Sequence, residues 1–274
     1  MEFNATKAIV HNEGCDLHYW YQGTGPLITF VPGGNGHGRQ YYPIMAALSD
    51  RYTCVTFDRR QMSASQVEAS KMRRLSPPQQ ARDIRAVIRA IGFDKSIVFG
   101  SSSGGIFAFQ FALDFPEMVD HLISHEAPTL TLLPDASALF ESYIHLLDLY
   151  DTGGLQAASA EFGKSLIGYD DEGVPKTTPP GPENPANFWR YEFPMLVGFS
   201  PNLWRVRQNG TSVGLMRGVR SRDASYARAT YEQEKILGCL RMDVPGHHQG
   251  FEVETGEFLP CFLDMLDQLE KKRG

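Results

Sequence analysis

The amino-acid sequence predicts an α/β fold: a mostly parallel central sheet flanked by helices, with a helical segment inserted late in the chain. Three observations predict it. Short, largely apolar runs at Leu27–Val31, Tyr52–Phe57 and Ser96–Gly100 alternate with stretches of helical spacing. Strands buried on both faces read this way, and strands alternating with helices build a parallel sheet covered on both sides. The alternation stops after about residue 134 and resumes at Val213–Met216. Finally, 274 residues with 42% hydrophobic content can bury roughly three quarters of their unfolded surface, enough for a core without disulfides or metal.

In chain order, Cys15–Gln22 has strand composition and Gly23-Thr24-Gly25-Pro26 turns the chain. Strand Leu27–Val31 runs into the glycine-rich Pro32-Gly33-Gly34-Asn35-Gly36-His37-Gly38. Tyr42–Leu48 has helical spacing, and strand Tyr52–Phe57 ends at Asp58-Arg59-Arg60. Ser76-Pro77-Pro78 opens a helix with proline in its first turn. Ile84, Val87, Ile88 and Ile91 form its apolar face, and Gly92 ends it. Strand Ser96–Gly100 leads through Ser101-Ser102-Ser103-Gly104-Gly105 into a nearly all-apolar helix stopped by Pro116. Strand Val119–Ser124 follows, ended by His125-Glu126-Ala127-Pro128.

Ser137–Tyr150 and Leu155–Leu166 then read as helices. Asp170–Pro185 holds five of the seventeen prolines and reads as a loop, and Asn187–Phe199 is dense in aromatics. A helix over Ser225–Leu237, a strand over Leu240–Val244 and an amphipathic helix over Thr255–Leu269 complete the chain. Residues 1–134 and 205–274 are therefore expected to form one core, and 135–204 a helical cap inserted into it.

Composition excludes several classes of function. A net charge of −6 carries no basic excess, which argues against a nucleic-acid partner. Cys15, Cys54, Cys239 and Cys261 contain no CxxC pair, so zinc and dithiol motifs are missing and reduced thiols are expected. No secretory signal and no run of ~18 apolar residues is visible. The expectation is a cytoplasmic protein with a small-molecule substrate, no membrane partner, no metal and no cofactor. A homodimer is left open.

Three segments carry chemistry. Gly100-Ser101-Ser102-Ser103-Gly104 is a G-x-S-x-G between a strand and a helix. A sharp turn there forces the central serine into a strained conformation, and only small residues fit two positions to either side. The Ser102 hydroxyl then stands clear beside the free N–H groups of a helix N-terminus. The second segment is Pro32-Gly33-Gly34. It is no dinucleotide fingerprint, because Arg39 stands where the third glycine is needed. The third is Pro245-Gly246-His247-His248, late in the chain. A serine hydroxyl needs a base with a pKa near working pH, usually histidine; of the two, His248 is favoured. Two carboxylates at strand ends could orient it, Asp223 and Glu126. A short turn after Gly218 would put an aspartate at position 221, where Ser221 stands.

On these residues the chain resembles the α/β-hydrolase superfamily over nearly its full length. Ser101-Ser102-Ser103-Gly104 together with Ser124-His125-Glu126-Ala127-Pro128-Thr129 is similar to the fungal zearalenone-type lactone hydrolases and related bacterial hydrolases, whose acid is a glutamate in a His-Glu-x-Pro segment. The resemblance implies Ser102 as nucleophile, His248 as base and Glu126 as acid, with Asp223 the alternative. It also implies an oxyanion hole from the N–H groups of Gly34 and Ser103. There are departures: Gly33 replaces the lactonases' Asp, and Gln61 in Asp58-Arg59-Arg60-Gln61 replaces the glycine of many relatives.

The expected activity is hydrolysis of a carboxylic ester or lactone through an acyl-Ser102 intermediate. Eleven aromatics in the inserted segment, Phe188, Trp189 and Phe193 among them, suit an apolar pocket. The same three residues could instead cleave a C–C bond beside a carbonyl, as in β-diketone hydrolases, or remain in a slow-turnover ligand receptor. Epoxide hydrolases and haloalkane dehalogenases place aspartate where Ser102 stands.

Overall fold

The computed structural model describes residues 3–273. Strands β1 (Thr6–Asn12) and β2 (Cys15–Gln22) form an antiparallel hairpin. They are followed by β3 (Leu27–Val31), α1 (Tyr42–Leu48), β4 (Thr53–Phe57) and α2 (Pro77–Ala90). Next come β5 (Ser96–Ser101), α3 (Ser103–Asp114) and β6 (Val119–His125). The segment before β7 (Val213–Gly218) contains α4 (Ala136–Gly163), α5 (Asn184–Asn187), a π-helical turn (Phe188–Glu192), α6 (Phe193–Leu196) and α7 (Leu203–Gln208). The chain closes with α8 (Ser225–Leu237), β8 (Leu240–Val244), α9 (Gly250–Val253) and α10 (Thr255–Arg273).

One eight-stranded sheet runs in the order β1-β2-β4-β3-β5-β6-β7-β8. From β4 to β8 every neighbouring pair is parallel; β2 joins β4 antiparallel. Period-two alternation sorts the strand residues between two cores. Leu27, Val31 and Val98 pack with α2 and α3 on one face. Ile28, Phe30, Ile97 and Phe99 pack with α1 and α10 on the other. This double burial is why β3, β4 and β5 are buried at every position.

Four features differ from the reading of the sequence or sharpen it. Strand β1 shows no apolar run because it is the sheet edge, half exposed along its length. The two helices expected at Ser137–Tyr150 and Leu155–Leu166 are the two halves of α4, divided at Gly154, whose φ of +79° only glycine adopts easily, and the second half ends at Gly163. The expected boundary at 204/205 falls inside α7, whose Leu203 and Val206 are buried in the same cluster as α3. Gln61 takes a φ of +66°, a conformation that glycine adopts at less cost. Its side chain offsets the strain by pairing with both N–H and C=O of Arg73, at 3.1 and 3.0 Å.

Behind the end of β4, Arg60 forms a buried ion pair with Asp83 of α2. Its guanidinium donates to both Asp83 oxygens and to the carbonyls of Asn12 and Glu13 in the β1–β2 hairpin. Asp83→Ala would leave Arg60 buried without its counter-charge. The expected result is a loss of about 3–5 kcal/mol of unfolding free energy, read from the midpoint and slope of urea denaturation. An unchanged midpoint would show the pair to be dispensable.

Candidate active site

The residues singled out from the sequence lie at the C-terminal edge of the parallel sheet, where open α/β sheets bind ligands. Ser102 sits between β5 and α3 with φ +57° and ψ −132°. This strained conformation persists because the flanking geometry allows little else. A Cβ on Gly100 would come within 2.4 Å of Gly104 O, and one on Gly104 within 2.2 Å of Val31 O. Ser102 N–H is held by the carbonyl of His125 at 2.9 Å. The glycine loop after β3 lies directly against this turn: a Cβ on Gly33 would be 2.9 Å from Ser102 Cβ. Gly34 is covered by the Phe188 ring, 2.8 Å from where its Cβ would be.

Glu126 follows β6 and is fully buried, at a φ of +50°. Its Oε2 accepts from His248 Nδ1 at 2.7 Å and from Ser221 Oγ at 3.0 Å. Its Oε1 accepts from the Gly218 N–H at 2.8 Å. Burial opposes ionisation, but the His248 hydrogen bond, the neighbouring imidazoles and Ser221 outweigh it and hold the carboxyl below its ordinary value. With Nδ1 donating to Glu126, Nε2 is the nitrogen of His248 left to accept a proton. The His248 ring packs at 4.1 Å against that of Tyr226.

The competing residues lie elsewhere. Asp223 is exposed and carries no hydrogen bond to His248; its charge acts on Arg228. Ser221, where a short turn after β7 would put an aspartate, donates to Glu126. His247 is a packed, buried imidazole stacked on Tyr169 at 3.9 Å, and its Nδ1 accepts from Gln249 N–H. His125 is buried against Ser101 Oγ, 3.3 Å from its Nδ1.

Ser102 and His248 line one cavity of about 280 Å³. Phe188, Trp189 and Phe193, from the segment between β6 and β7, also line it, and no Asp, Glu, Lys or Arg does. Several of its polar groups already have partners. Tyr169 Oη donates to Gln249 Oε1 at 2.9 Å and Trp189 Nε1 to Ser159 Oγ at 3.0 Å. Among the described residues, no group of three or more His, Cys, Asp or Glu could hold a metal ion, and no helix is long and apolar enough to cross a membrane.

Reading the sequence missed a second buried pair, Arg59 and Glu192, just behind the cavity wall. The available signals were the doubled arginine after β4 and a lone carboxylate in the aromatic run Phe188–Phe193.

A family model described as alpha/beta hydrolase fold matches residues 26–204. The uncharacterized hydrolase YraK of Bacillus subtilis (strain 168) is 26% identical over 263 residues, covering 94% of this chain and 95% of YraK. Epoxide hydrolase 1 of Caenorhabditis elegans is 35% identical over 114 residues, 41% of this chain and 28% of that protein. The structure of Est816, described as an N-acyl homoserine lactone degrading enzyme, superposes with a TM-score of 0.69 at 19% identity. It covers 94% of this chain and 99% of Est816.

Burial makes stability depend on pH. Loss of hydration holds His37, His125 and His247 down to about 4, whereas unfolded histidines take a proton near ~6.5. Between those values the unfolded chain binds more protons, so acidification destabilises the fold. Glu126, depressed below its ordinary value, adds its own loss once pH falls through its folded pKa. The thermal midpoint, followed by circular dichroism, is expected to fall steadily as pH is lowered from about 6.5 towards about 4. A flat profile across that range would show that these imidazoles protonate without cost.

Proposed function

We propose, from the premise that the chain belongs to the α/β-hydrolase fold family, that it is a serine hydrolase cleaving a carboxylic ester or lactone of an uncharged, largely apolar small molecule. One observation carries this reading: the 2.7 Å hydrogen bond from His248 Nδ1 to buried Glu126, in the cavity that Ser102 also lines. The uncharged aromatic lining supports an apolar substrate.

In this mechanism His248 Nε2 takes the Ser102 proton as Oγ attacks the carbonyl carbon. Glu126 stays ionised, keeps the imidazole in the required tautomer and stabilises the imidazolium. The carbonyl oxygen becomes an oxyanion facing the N–H groups of Gly34 and Ser103, the latter in the first turn of α3. Imidazolium then protonates the leaving alkoxide, which departs as alcohol and leaves an ester on Ser102; in a lactone the alcohol remains tethered. Water, deprotonated by His248, attacks that ester. The second tetrahedral intermediate collapses to free acid as the imidazolium returns its proton to the departing Ser102 Oγ, which regenerates both residues.

Similarity to an epoxide hydrolase does not redirect this chemistry. Attack of a serine oxygen on an epoxide carbon would leave an ether, which the same base and water cannot hydrolyse. A carboxylate nucleophile leaves an ester, which they can. Ser102 therefore favours acyl substrates.

A panel of aryl esters, lactones and a β-diketone tests the reading, with intact-protein mass spectrometry to catch the acyl enzyme. The expected outcome is turnover of esters or lactones with an acyl mass increment on Ser102, both lost in Ser102→Ala. Glu126→Gln should lower kcat by a factor on the order of 10³–10⁴, and Asp223→Asn should leave it unchanged. Collapse in Asp223→Asn alone would overturn the choice of acid. Turnover that survives Ser102→Ala would overturn the nucleophile, and cleavage of the β-diketone alone would overturn the bond type.

A further inference from the structure

We infer that Arg59 and Glu192 are positioning residues that hold the two oxyanion donors and make their geometry depend on the seating of the inserted segment. The inference deepens the proposed reaction and rests on it. Both side chains are fully buried, although neither charge touches the cavity. A buried ion pair is expensive to desolvate and is poor evidence of stabilisation in itself. What distinguishes this one is what each end grips.

Arg59 Nη2 donates to Glu192 Oε2 at 2.6 Å and to the carbonyl of Gly33 at 2.7 Å. A trans peptide is planar, with its C=O and N–H pointing in opposite directions. The carbonyl of Gly33 and the N–H of Gly34 belong to the same peptide. Drawing Gly33 O back towards Arg59 therefore turns Gly34 N–H the other way. Gly33 O also accepts from Gly36 N–H at 2.9 Å, so the turn and the guanidinium act together. The other carboxylate oxygen, Glu192 Oε1, accepts from Ser103 Oγ at 2.5 Å. Ser103 supplies the second donor, so one carboxylate tethers Ser103 directly and the Gly33–Gly34 peptide through Arg59. The Arg59 guanidinium is itself held over the Phe107 ring of α3, 5.0 Å from its centroid.

Glu192 belongs to the π-helical turn, in the inserted segment. The same segment reaches the glycine loop a second time, through Asn184 Nδ2 and the carbonyl of Asn35 at 2.7 Å. An oxyanion hole built in this way is complete only while the insert is docked.

The test compares Glu192→Gln, Ser103→Ala and the double variant Arg59→Met/Glu192→Met on an ester that the wild type turns over. It also measures inhibition by a trifluoromethyl ketone, which Ser102 converts to a tetrahedral oxyanion, and by the matching methyl ketone, which stays neutral. Expected for all three variants is a fall in kcat of about tenfold, below the ~10²–10³ of losing a donor outright. KM and methyl ketone inhibition should hold within about twofold, while the trifluoromethyl ketone weakens in step with kcat. The double variant separates stability from positioning. Replacing a buried pair by apolar residues can restore stability, so its thermal midpoint should match the wild type while kcat stays low.

Wild-type kcat and trifluoromethyl ketone affinity in the folded double variant would overturn the inference. If one single variant fails to fold, the other and the double variant decide. If the wild type turns over no ester or lactone and does not bind the trifluoromethyl ketone, the proposed reaction has failed instead. The crystal structure of Glu192→Gln then judges the pair alone, and a Gly33–Gly34 peptide in its wild-type orientation would overturn it.

Discussion

The carboxylate of Glu126 is the group around which the functional edge of the sheet is organised. A fully buried carboxylate costs several kcal/mol to desolvate, and it stays ionised only where hydrogen-bond donors replace the lost water. Here the donors come from three places: Gly218 at the end of β7, Ser221 in the turn after it, and His248 after β8. Glu126 itself ends β6 at a positive φ. Satisfying this one side chain therefore sets the relative positions of three consecutive strand ends. Its backbone contributes as well, since Glu126 N–H is held by the carbonyl of Met216 in β7.

If His248 is the base of the proposed reaction, the position of its carboxylate partner is itself informative. A glutamate after β6 reaches one methylene further than an aspartate and so meets the imidazole that follows β8, across the end of β7. The turn after β7 then needs only a donor, and Ser221 supplies it. Asp223, two residues on, is left exposed, and the Arg228 guanidinium nearby is paired with Asp135 instead. That choice was not decidable from either carboxylate's local sequence, because both stand at strand ends before His248. It turns on which strand lies beside which, and the β6–β7–β8 order supplies this.

Legibility followed burial and locality. Strands β3, β4 and β5 were readable because both of their faces are buried and so nearly every residue is apolar. The elbow was readable because its steric demand falls on residues two positions away in the chain, Gly100 and Gly104. Strand β1 was invisible because an edge strand needs no apolar run. The Arg59–Glu192 pair could be suspected but not paired, for a different reason. Its partners are 133 residues apart, and the turn that carries Glu192 is π-helical, so its spacing matches neither a 3.6-residue nor a two-residue period.

The two arginines after β4 complete the electrostatic logic. Successive residues at a strand end point to opposite sides, and so Arg59 and Arg60 diverge. Arg60 binds Asp83 and the β1–β2 hairpin, away from the cavity. Arg59 turns towards the segment between β6 and β7 and the glycine loop. Each has a carboxylate partner, and only Arg59 lies close to the cavity. An unpaired Arg59 there would strengthen the field on any bound anion and hold an acid product in place. With both neutralised, and with no charged side chain in the lining, the charges left in the cavity are those a reaction would itself create. An imidazolium at His248 would face Glu126, and an oxyanion would face backbone N–H groups. Arranged dipoles stabilise such transient charge while holding a released carboxylate less tightly than a full cation would.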